Sequence, residues 1–203
     1  METWRAATLT GRVVRLEPLR RDHLGDLVAA SRDERVWAWL PVARPDAAGM
    51  RAWLEDALAR AAAGLDIPFA TVSQMTGRAI GSTRYLALRP EHRSVEIGWT
   101  WLAPEAWGTG ANVEAKLLQL GNAFEGWGCR RVEFKTDARN ERSRGALEAL
   151  GARFEGVHAK HMLVRGGESR DSAWYAILDD DWPSLRARLQ ARLAPSTAST
   201  SGR

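Results

Sequence analysis

The chain has 203 residues, of which 45% are hydrophobic and 27% are charged, and this composition excludes collagen-like, disulfide-rich and wholly disordered proteins. Its length is typical of one domain with a sizeable core. The formal net charge of +4 comes from arginines spread along the chain, which favours anionic partners without specifying one. The single cysteine, Cys129, excludes an internal disulfide, and no apolar run approaches the about 18 residues of a membrane span. We therefore expect a protein of the reducing cytoplasm that does not enter a membrane.

The first half of the chain predicts one strand, two helices and a group of three strands. Apolar residues indicate the first strand over residues 13–17, and Asp22 and Asp46 are predicted to open the two helices. The three further strands are separated by turn-forming residues and cover residues 69–74, 79–88 and 94–102. Because their connections are short, we expect an antiparallel meander.

The second half of the chain alternates helices and strands. Helices are predicted over residues 111–125, 140–150 and 182–193, and strands over residues 131–136, 154–164 and 173–178. No long linker divides the chain, so residues 1–194 are expected to form one mixed α/β domain with a mostly antiparallel sheet. The Ser-, Thr-, Ala- and Gly-containing residues 195–203 are expected to be a disordered tail.

The loop Pro104–Asn112 is the segment that says most about function, because it joins a strand to a long helix. Gly108 and Gly110 let the backbone approach a ligand, and free N–H groups at the helix start favour a phosphate or pyrophosphate. A plain strand-to-helix turn would use the same glycines. No Gly-Lys-Ser/Thr is present for a Walker loop. A dinucleotide fingerprint is weakened by Val113 in place of its third glycine, and it stays as a minor alternative.

A second candidate anion site lies at the start of the next helix. Asn140 is a predicted N-cap, and Ser143 lies on the same side of the helix three residues later. A simple cap with its partner is the alternative interpretation. Two helix N-termini beside neighbouring strands would together suit one elongated phosphorylated ligand.

The ordered set of motifs resembles the GNAT superfamily of acetyl-CoA-dependent N-acetyltransferases, closest to the ribosomal-protein alanine N-acetyltransferases. The matching pieces follow the family order over nearly the whole chain. They are the Trp107–Ala111 loop, Val14–Leu19, Glu96–Trp99, Asn140–Ser143, Leu150–Ala152, Glu155–Val157, Arg170–Ser172 and Asp180–Pro183.

The resemblance implies a GNAT fold, in which helices cover both faces of a mixed, mostly antiparallel sheet of about seven strands. It implies acetyl-CoA as the co-substrate and no metal. Strand backbone would bind the pantetheine arm, the glycine loop the pyrophosphate, and Ser143 would lie near the thioester sulfur. The residues expected to bind acetyl-CoA are Trp101, Leu102, Trp107, Gly108, Thr109, Gly110, Ala111, Asn112, Asn140 and Ser143. Glu105 departs from the family, which usually has Gln or Arg at this place.

Acetyl transfer requires a neutral amine, and this chemistry suggests two catalytic residues. Glu96 is the candidate base, because apolar neighbours on a central strand would raise its pKa. The resemblance agrees, since a glutamate acts as base in some GNAT branches. A salt bridge to an arginine is the alternative for Glu96. Ser143 is the candidate for stabilising the leaving thiolate, because Tyr85 and Tyr175 lie away from the segment where many GNAT enzymes carry a tyrosine. A helix-capping hydroxyl is its alternative.

The acceptor is predicted to be the N-terminal α-amine of a ribosomal or other protein. Trp37, Trp39 and His158 are candidate acceptor-binding residues, although the tryptophans also suit core positions. The alternatives are a small-molecule amine acetyltransferase and a non-catalytic acyl-CoA-binding regulator. An open groove between Trp37 and Gly166-Gly167 would favour a peptide, and a closed pocket a small amine. We do not expect nucleic-acid binding, and a homodimer is considered.

Overall fold

The computed structural model describes residues 4–194 of the chain. Its helices are α1 (Leu24–Ala30), α2 (Ala47–Ala62), α3 (Ala111–Gly121), α4 (Glu141–Leu150) and α5 (Trp182–Leu193). Its strands are β1 (Leu9–Thr10), β2 (Val14–Pro18), β3 (Ile67–Ser73), β4 (Ala79–Arg89), β5 (Ser94–Leu102), β6 (Arg131–Asp137), β7 (Arg153–Val164) and β8 (Glu168–Leu178). The predicted disordered tail, residues 195–203, lies outside the described residues.

The strands form one sheet in the order β1-β2-β3-β4-β5-β6-β8-β7. All neighbours are antiparallel except β5 and β6, which are parallel. This confirms the predicted meander and the mixed, mostly antiparallel sheet. The sheet has eight strands instead of about seven, because the two-residue β1 pairs with β2 and is too short to show alternation.

Helix ends follow local sequence signals. Asp46 accepts a hydrogen bond from Gly49 N–H at the start of α2, and Gly151 ends α4 in the left-handed conformation. The helix predicted over residues 111–125 consists of α3 and a π-helical turn over Asn122–Gly126 that follows it directly. The last strand starts at Glu168, earlier than predicted, because the alternation is obscured by charged residues that pair with β7.

Apolar side chains form a core on each face of the sheet. Helices α3, α4 and α5 pack through residues such as Leu120, Leu147 and Leu189 on one face. Helices α1 and α2 pack through residues such as Leu27 and Leu54 on the other. Full burial of a leucine side chain contributes about 1.5–3 kcal/mol of transfer free energy. Within residues 4–194, none of the helices combines the length and apolar character that crossing a bilayer requires.

The centre of the sheet is incomplete. Strands β5 and β6 pair only where residues 94–96 lie beside residues 131–133. On its other side β5 carries a bulge against β4, where Trp99 has a positive φ of 50°. Gly81 is required beside this bulge, because a Cβ there would lie 2.1 Å from the carbonyl oxygen of Trp101. Beyond Glu96 the backbone groups of β5 on the β6 side are therefore free of sheet partners.

Candidate active site

A cavity of about 880 Å³ opens where β5 and β6 part. This volume is that of a site for a small molecule or cofactor. Residues 96–102 of β5 form one wall, and residues 134–136 of β6 form another. The glycine loop after β5 and the start of α4 complete the lining. Both predicted helix N-termini therefore open into the same cavity.

The glycine loop is shaped by its two glycines and one hydroxyl. Gly108 and Gly110 have φ values of 76° and 87°, which side-chain-bearing residues seldom adopt. The Thr109 hydroxyl donates to the carbonyl of Ala106 at 2.8 Å. Gly110 is the N-cap of α3 and offers no side chain to the first turn, which faces the cavity at Asn112. An anion can therefore approach the positive end of the α3 dipole.

Arginine side chains supply positive charge near this loop, whereas Glu105 within it supplies none. The Arg142 guanidinium lies 4.1 Å from the centre of the Trp107 ring, and both residues line the cavity. The ring is held in place by its Nε1–H, which donates to the carbonyl of Leu102 at 2.9 Å. Arg192 of α5 also lines the cavity. The sequence gives little sign of these arginines, because they are far from the loop along the chain.

The α4 N-terminus has the predicted cap. Asn140 Oδ1 accepts a hydrogen bond from the backbone N–H of Ser143 at 3.1 Å, and Asn140 is 8% exposed. The structure therefore confirms the prediction that Asn140 is the N-cap of α4. Ser143 and Asn140 both line the cavity, so the cap also positions the start of α4 beside β5.

Glu96 is a buried carboxylate in the cavity wall. It is 2% exposed, and Oε2 accepts a hydrogen bond from Lys135 Nζ at 2.9 Å. Burial raises the pKa of Glu96 above its usual range, and the Lys135 ammonium acts in the opposite direction. The ion pair considered for Glu96 exists, but its partner is a lysine and not an arginine.

The other predicted site residues divide into those in the cavity wall and those outside it. Those in the wall are Trp39, Trp101, Leu102, Trp107, Gly108, Thr109, Gly110 and Asn112. Ala111 is buried beneath the helix start. Their proposed roles stay predictions.

Two predicted acceptor residues lie away from the cavity. Trp37 is 2% exposed, donates its Nε1–H to the carbonyl of Ser31 at 2.9 Å and packs against Trp101. It is a core residue, because its polar atom is satisfied internally. His158 is exposed on β7, and its ring lies 5.0 Å from that of Trp174. Neither residue lines the cavity, and the acceptor role of Trp37 and of His158 stays a prediction.

One side of the cavity is bordered by a loop–hairpin bridge. Arg165, in the β7–β8 turn, donates its backbone N–H to Pro41 O at 2.9 Å. Its Nη1 donates to Leu40 O at 2.8 Å. Leu40 and Pro41 belong to the loop between α1 and α2 and line the cavity. The sequence analysis considered an open groove or a closed pocket between the α1–α2 loop and the β7–β8 turn. In the structure these two segments are in contact.

Several charged residues of the cavity wall have no signal in the sequence pattern. Lys116 of α3 is 6% exposed, and Nζ donates to Thr83 and Thr100 Oγ1 and to Gln119 Oε1 at 3.1, 2.6 and 3.1 Å. Burial lowers the pKa of Lys116 to about 7. Arg170 of β8 is 5% exposed and also lines the cavity. Hydropathy places lysine and arginine on the surface, so the sequence reasoning missed both as site residues.

Family comparison agrees with this arrangement. The sequence model described as the acetyltransferase (GNAT) domain matches residues 14–153, which include β5, the glycine loop and the start of α4. The chain belongs to the GNAT acetyltransferase family. This confirms the resemblance seen in the sequence, and it makes the protein an acetyltransferase of a family that uses acetyl-CoA.

Solved structures of GNAT proteins share the whole fold. A Brucella melitensis GCN5-related N-acetyltransferase is 33% identical, with a TM-score of 0.91, covering 100% of this chain and 92% of its own. A T. thermophilus protein described as an acetyltransferase is 40% identical, with a TM-score of 0.86, covering 94% of this chain and 100% of its own.

A more distant GNAT structure shows the fold alone. RimJ of Mycobacterium smegmatis, solved in complex with CoA-disulfide, is 24% identical, with a TM-score of 0.76 and coverage of 91% of each chain. No curated protein sequence matches the chain. Among residues 4–194, no group of three or more His, Cys, Asp or Glu side chains is placed to hold a metal ion.

Proposed function

We propose that this GNAT protein transfers the acetyl group of acetyl-CoA directly to a primary α-amine. The observation that carries the proposal is the buried Glu96 carboxylate in the wall of a cavity that also receives two helix N-termini. A carboxylate whose pKa is raised by burial is suited to take a proton from an ammonium group near neutral pH. The neutral amine that results has the lone pair that attack on a thioester requires.

The residues of the cavity fit acetyl-CoA along its length. The glycine loop and the α3 N-terminus suit the pyrophosphate, and Arg142 adds the positive charge that Glu105 does not. The edge of β5 near Trp101 and Leu102 that β6 does not cover suits the pantetheine arm, although the Leu102 carbonyl already accepts from Trp107 Nε1–H. Ser143 at the α4 N-terminus suits the sulfur end. This fit supports acetyl-CoA more than a dinucleotide, for which the loop lacks a third glycine.

The transfer balances with the groups that the chain supplies. The amine nitrogen forms a bond to the acetyl carbon, the carbon–sulfur bond breaks, and CoA leaves as a thiolate. Glu96 takes the first proton from the ammonium, and the second proton that the nitrogen loses as the amide forms passes to the thiolate, which becomes the CoA thiol. Ser143 and the positive end of α4 stabilise the negative charge on sulfur as it develops. Positioning of the two substrates in one cavity supplies much of the remaining acceleration.

The acceptor class is a choice between a protein N-terminus and a small amine. The resemblance favours a protein or peptide N-terminal α-amine. The loop–hairpin bridge of Arg165 with Leu40 and Pro41 favours a small amine, because it closes the side on which a peptide groove was considered. The alternative that is not an enzyme is a non-catalytic regulator that binds acyl-CoA.

Amine-dependent release of the CoA thiol from acetyl-CoA tests the proposal. The panel should contain free amino acids, amino acid amides, short peptides and polyamines. We expect Glu96→Gln to lower kcat/KM by about a hundredfold or more, and Ser143→Ala to lower kcat by about tenfold. Glu91→Gln, at an exposed carboxylate outside the cavity, is the matched control.

Each other outcome has a distinct meaning. Normal turnover in both Glu96→Gln and Ser143→Ala would show that the catalytic assignment is wrong. Binding of acetyl-CoA without turnover of any amine would support the regulator. Thermal stabilisation of the protein by NADH and not by acetyl-CoA would indicate that the glycine loop binds a dinucleotide.

A further inference from the structure

Arg170 is a buried cation of the cavity wall whose side chain forms no hydrogen bond or ion pair with residues 4–194, although Asp137 and Glu96 lie near enough to attract it. Its side chain lies on β8, is 5% exposed overall and lines the cavity. Its Nε is fully buried and makes no hydrogen bond. An arginine stays protonated in proteins, and a buried guanidinium without an acceptor is unfavourable. The position therefore calls for an anion that the described residues do not provide.

The neighbouring carboxylates are already paired with other cations. Glu96 is bonded by Lys135 at 2.9 Å. Asp137 is bonded by Arg139 at 2.8 Å. Glu168, the third carboxylate of this region, is bonded by Arg139 at 2.6 Å and by Arg165 at 2.9 Å. The three carboxylates thus form ion pairs with Lys135, Arg139 and Arg165. Arg170 is a fourth cation in this region, and it has no ion-pair partner there.

The phosphates of acetyl-CoA are not the missing anion. Arg170 is close enough to Glu96 to lower the pKa of that carboxyl, and its cross-strand neighbour Met162 lines the cavity too. The glycine loop begins beyond Leu102, six residues further along β5 than Glu96. At about 3.3 Å per residue, the two ends of the cavity lie about 20 Å apart. Arg170 therefore stands at the acceptor end, beside the candidate base.

We propose that the acceptor amine carries a carboxylate, and that Arg170 binds this carboxylate while the amine reaches Glu96. The proposal rests on the proposed function and names its acceptor class. Two sources supply this chemistry, namely the free carboxylate of an α-amino acid and the side-chain carboxylate of a peptide that begins with Asp or Glu. In both, a few bonds separate the amine from the carboxylate, so one pocket can hold the two groups. Arg170 is on this account a substrate-binding and specificity-determining residue.

Matched pairs of acceptors test the proposal in the full-length protein with acetyl-CoA. One set pairs each free amino acid with its amide. The other pairs peptides that begin with Asp or Glu with those that begin with Asn or Gln. We expect kcat/KM to favour the carboxylate member of at least one set by about tenfold or more, mainly through KM, because a charge-assisted hydrogen bond is lost in its partner. The set that shows the preference identifies the source of the carboxylate.

Variants of Arg170 assign the preference to this side chain. Arg170→Gln should lower the ratio of kcat/KM between carboxylate and amide acceptors by about tenfold or more relative to the wild type. Arg170→Lys should keep part of the preference because it keeps the charge. Arg130→Gln, at an exposed arginine outside the cavity, should keep all of it.

The outcomes separate this proposal from the proposed function. Turnover of acids and amides at equal rates by the wild type would overturn the role of Arg170 and leave N-acetylation standing. A preference of the wild type that survives in Arg170→Gln would overturn it as well. So would a preference for succinyl-CoA over acetyl-CoA that Arg170→Gln removes, because the cation would then bind the acyl group. The wild-type ratio needs no variant, so it tests the proposal even if Arg170→Gln folds poorly.

Discussion

At the scale of single residues, the Glu96–Lys135 pair predicts how the proposed reaction depends on pH. Burial raises the pKa of Glu96, and the lysine 2.9 Å away opposes that rise. The carboxylate must be deprotonated to act as base, so activity should fall as the pH drops through this raised pKa. Lys135 thus keeps the base ionised at lower pH than burial alone would permit.

Replacement of Lys135 by methionine tests this balance. Loss of the ammonium should raise the pKa of Glu96 further, so the acidic limb of the pH profile of kcat/KM should move to higher pH by about one unit. The control is Lys160→Met, at an exposed lysine on β7 outside the cavity wall. An acidic limb that stays in place in Lys135→Met would mean that another group titrates.

Lys116 gives a second residue-scale prediction, this time for stability. Its pKa is about 7 in the folded protein, against an ordinary value of 10.5, because burial disfavours the ammonium. Between these two values the unfolded chain binds more protons, so the free energy of unfolding should rise with pH. Below about pH 7 the lysine is charged in both states, and folding bears the full cost of burying it.

Lys116→Met should remove this contribution to the pH dependence. Urea unfolding at pH 6 and pH 9 should show the wild type gaining about 3 kcal/mol relative to the variant at the higher pH. Lys160→Met should follow the wild type at both values. Parallel changes in wild type and Lys116→Met would show that Lys116 keeps an ordinary pKa.

At the scale of elements, α3 is fixed to the first hairpin by one buried carboxylate. Glu114 accepts backbone N–H groups from Arg12, Val13 and Val14 at 2.9, 2.6 and 2.7 Å. These contacts place the helix whose N-terminus forms the glycine-loop site. The position of that site therefore depends on a residue one turn further into the helix.

Glu114→Gln should loosen this contact with little change of volume. The amide nitrogen would face a backbone N–H, so we expect a loss of about 1–3 kcal/mol in the free energy of unfolding and weaker binding of acetyl-CoA. Chemical denaturation and a binding titration measure the two effects, with Glu91→Gln as the exposed control. Unchanged stability would show that water replaces the carboxylate at this place.

Most elements could be predicted because their signals are local. The end of α4 at Gly151 and the three strands before the glycine loop follow from turn residues and apolar alternation. Glu114 and Lys116 could not be predicted, because the partners that stabilise them when buried include residues on other elements, 100 residues away for Glu114 and 16 and 33 residues away for Lys116. Arg165 meets Leu40 across 125 residues for the same reason. The candidate site was predictable at its glycine loop and at Asn140, and it was missed where distant charges meet.

At the scale of the whole molecule, acetyl-CoA should stabilise the fold. At a hundredfold excess over Kd, a ligand that binds only the folded state adds about 2.7 kcal/mol. For a domain of this size, that is a rise in Tm of roughly 5–10 °C. A thermal melt with acetyl-CoA, and with NADH as control, measures it. No rise with acetyl-CoA would contradict the fit of the glycine loop, and Gly108→Ala should reduce any rise by straining a residue at φ 76°.

The partial pairing of β5 with β6 has a consequence for the protein's behaviour at high concentration. The two strands share only three residue pairs, so each has an edge of free backbone groups in the middle of the sheet. Free strand edges ordinarily invite pairing with another chain and so promote aggregation. Here the free edges line the cavity and are flanked by the glycine loop and the start of α4. We therefore expect the protein to keep these edges for its ligand and to stay free of strand-mediated aggregation in a crowded solution.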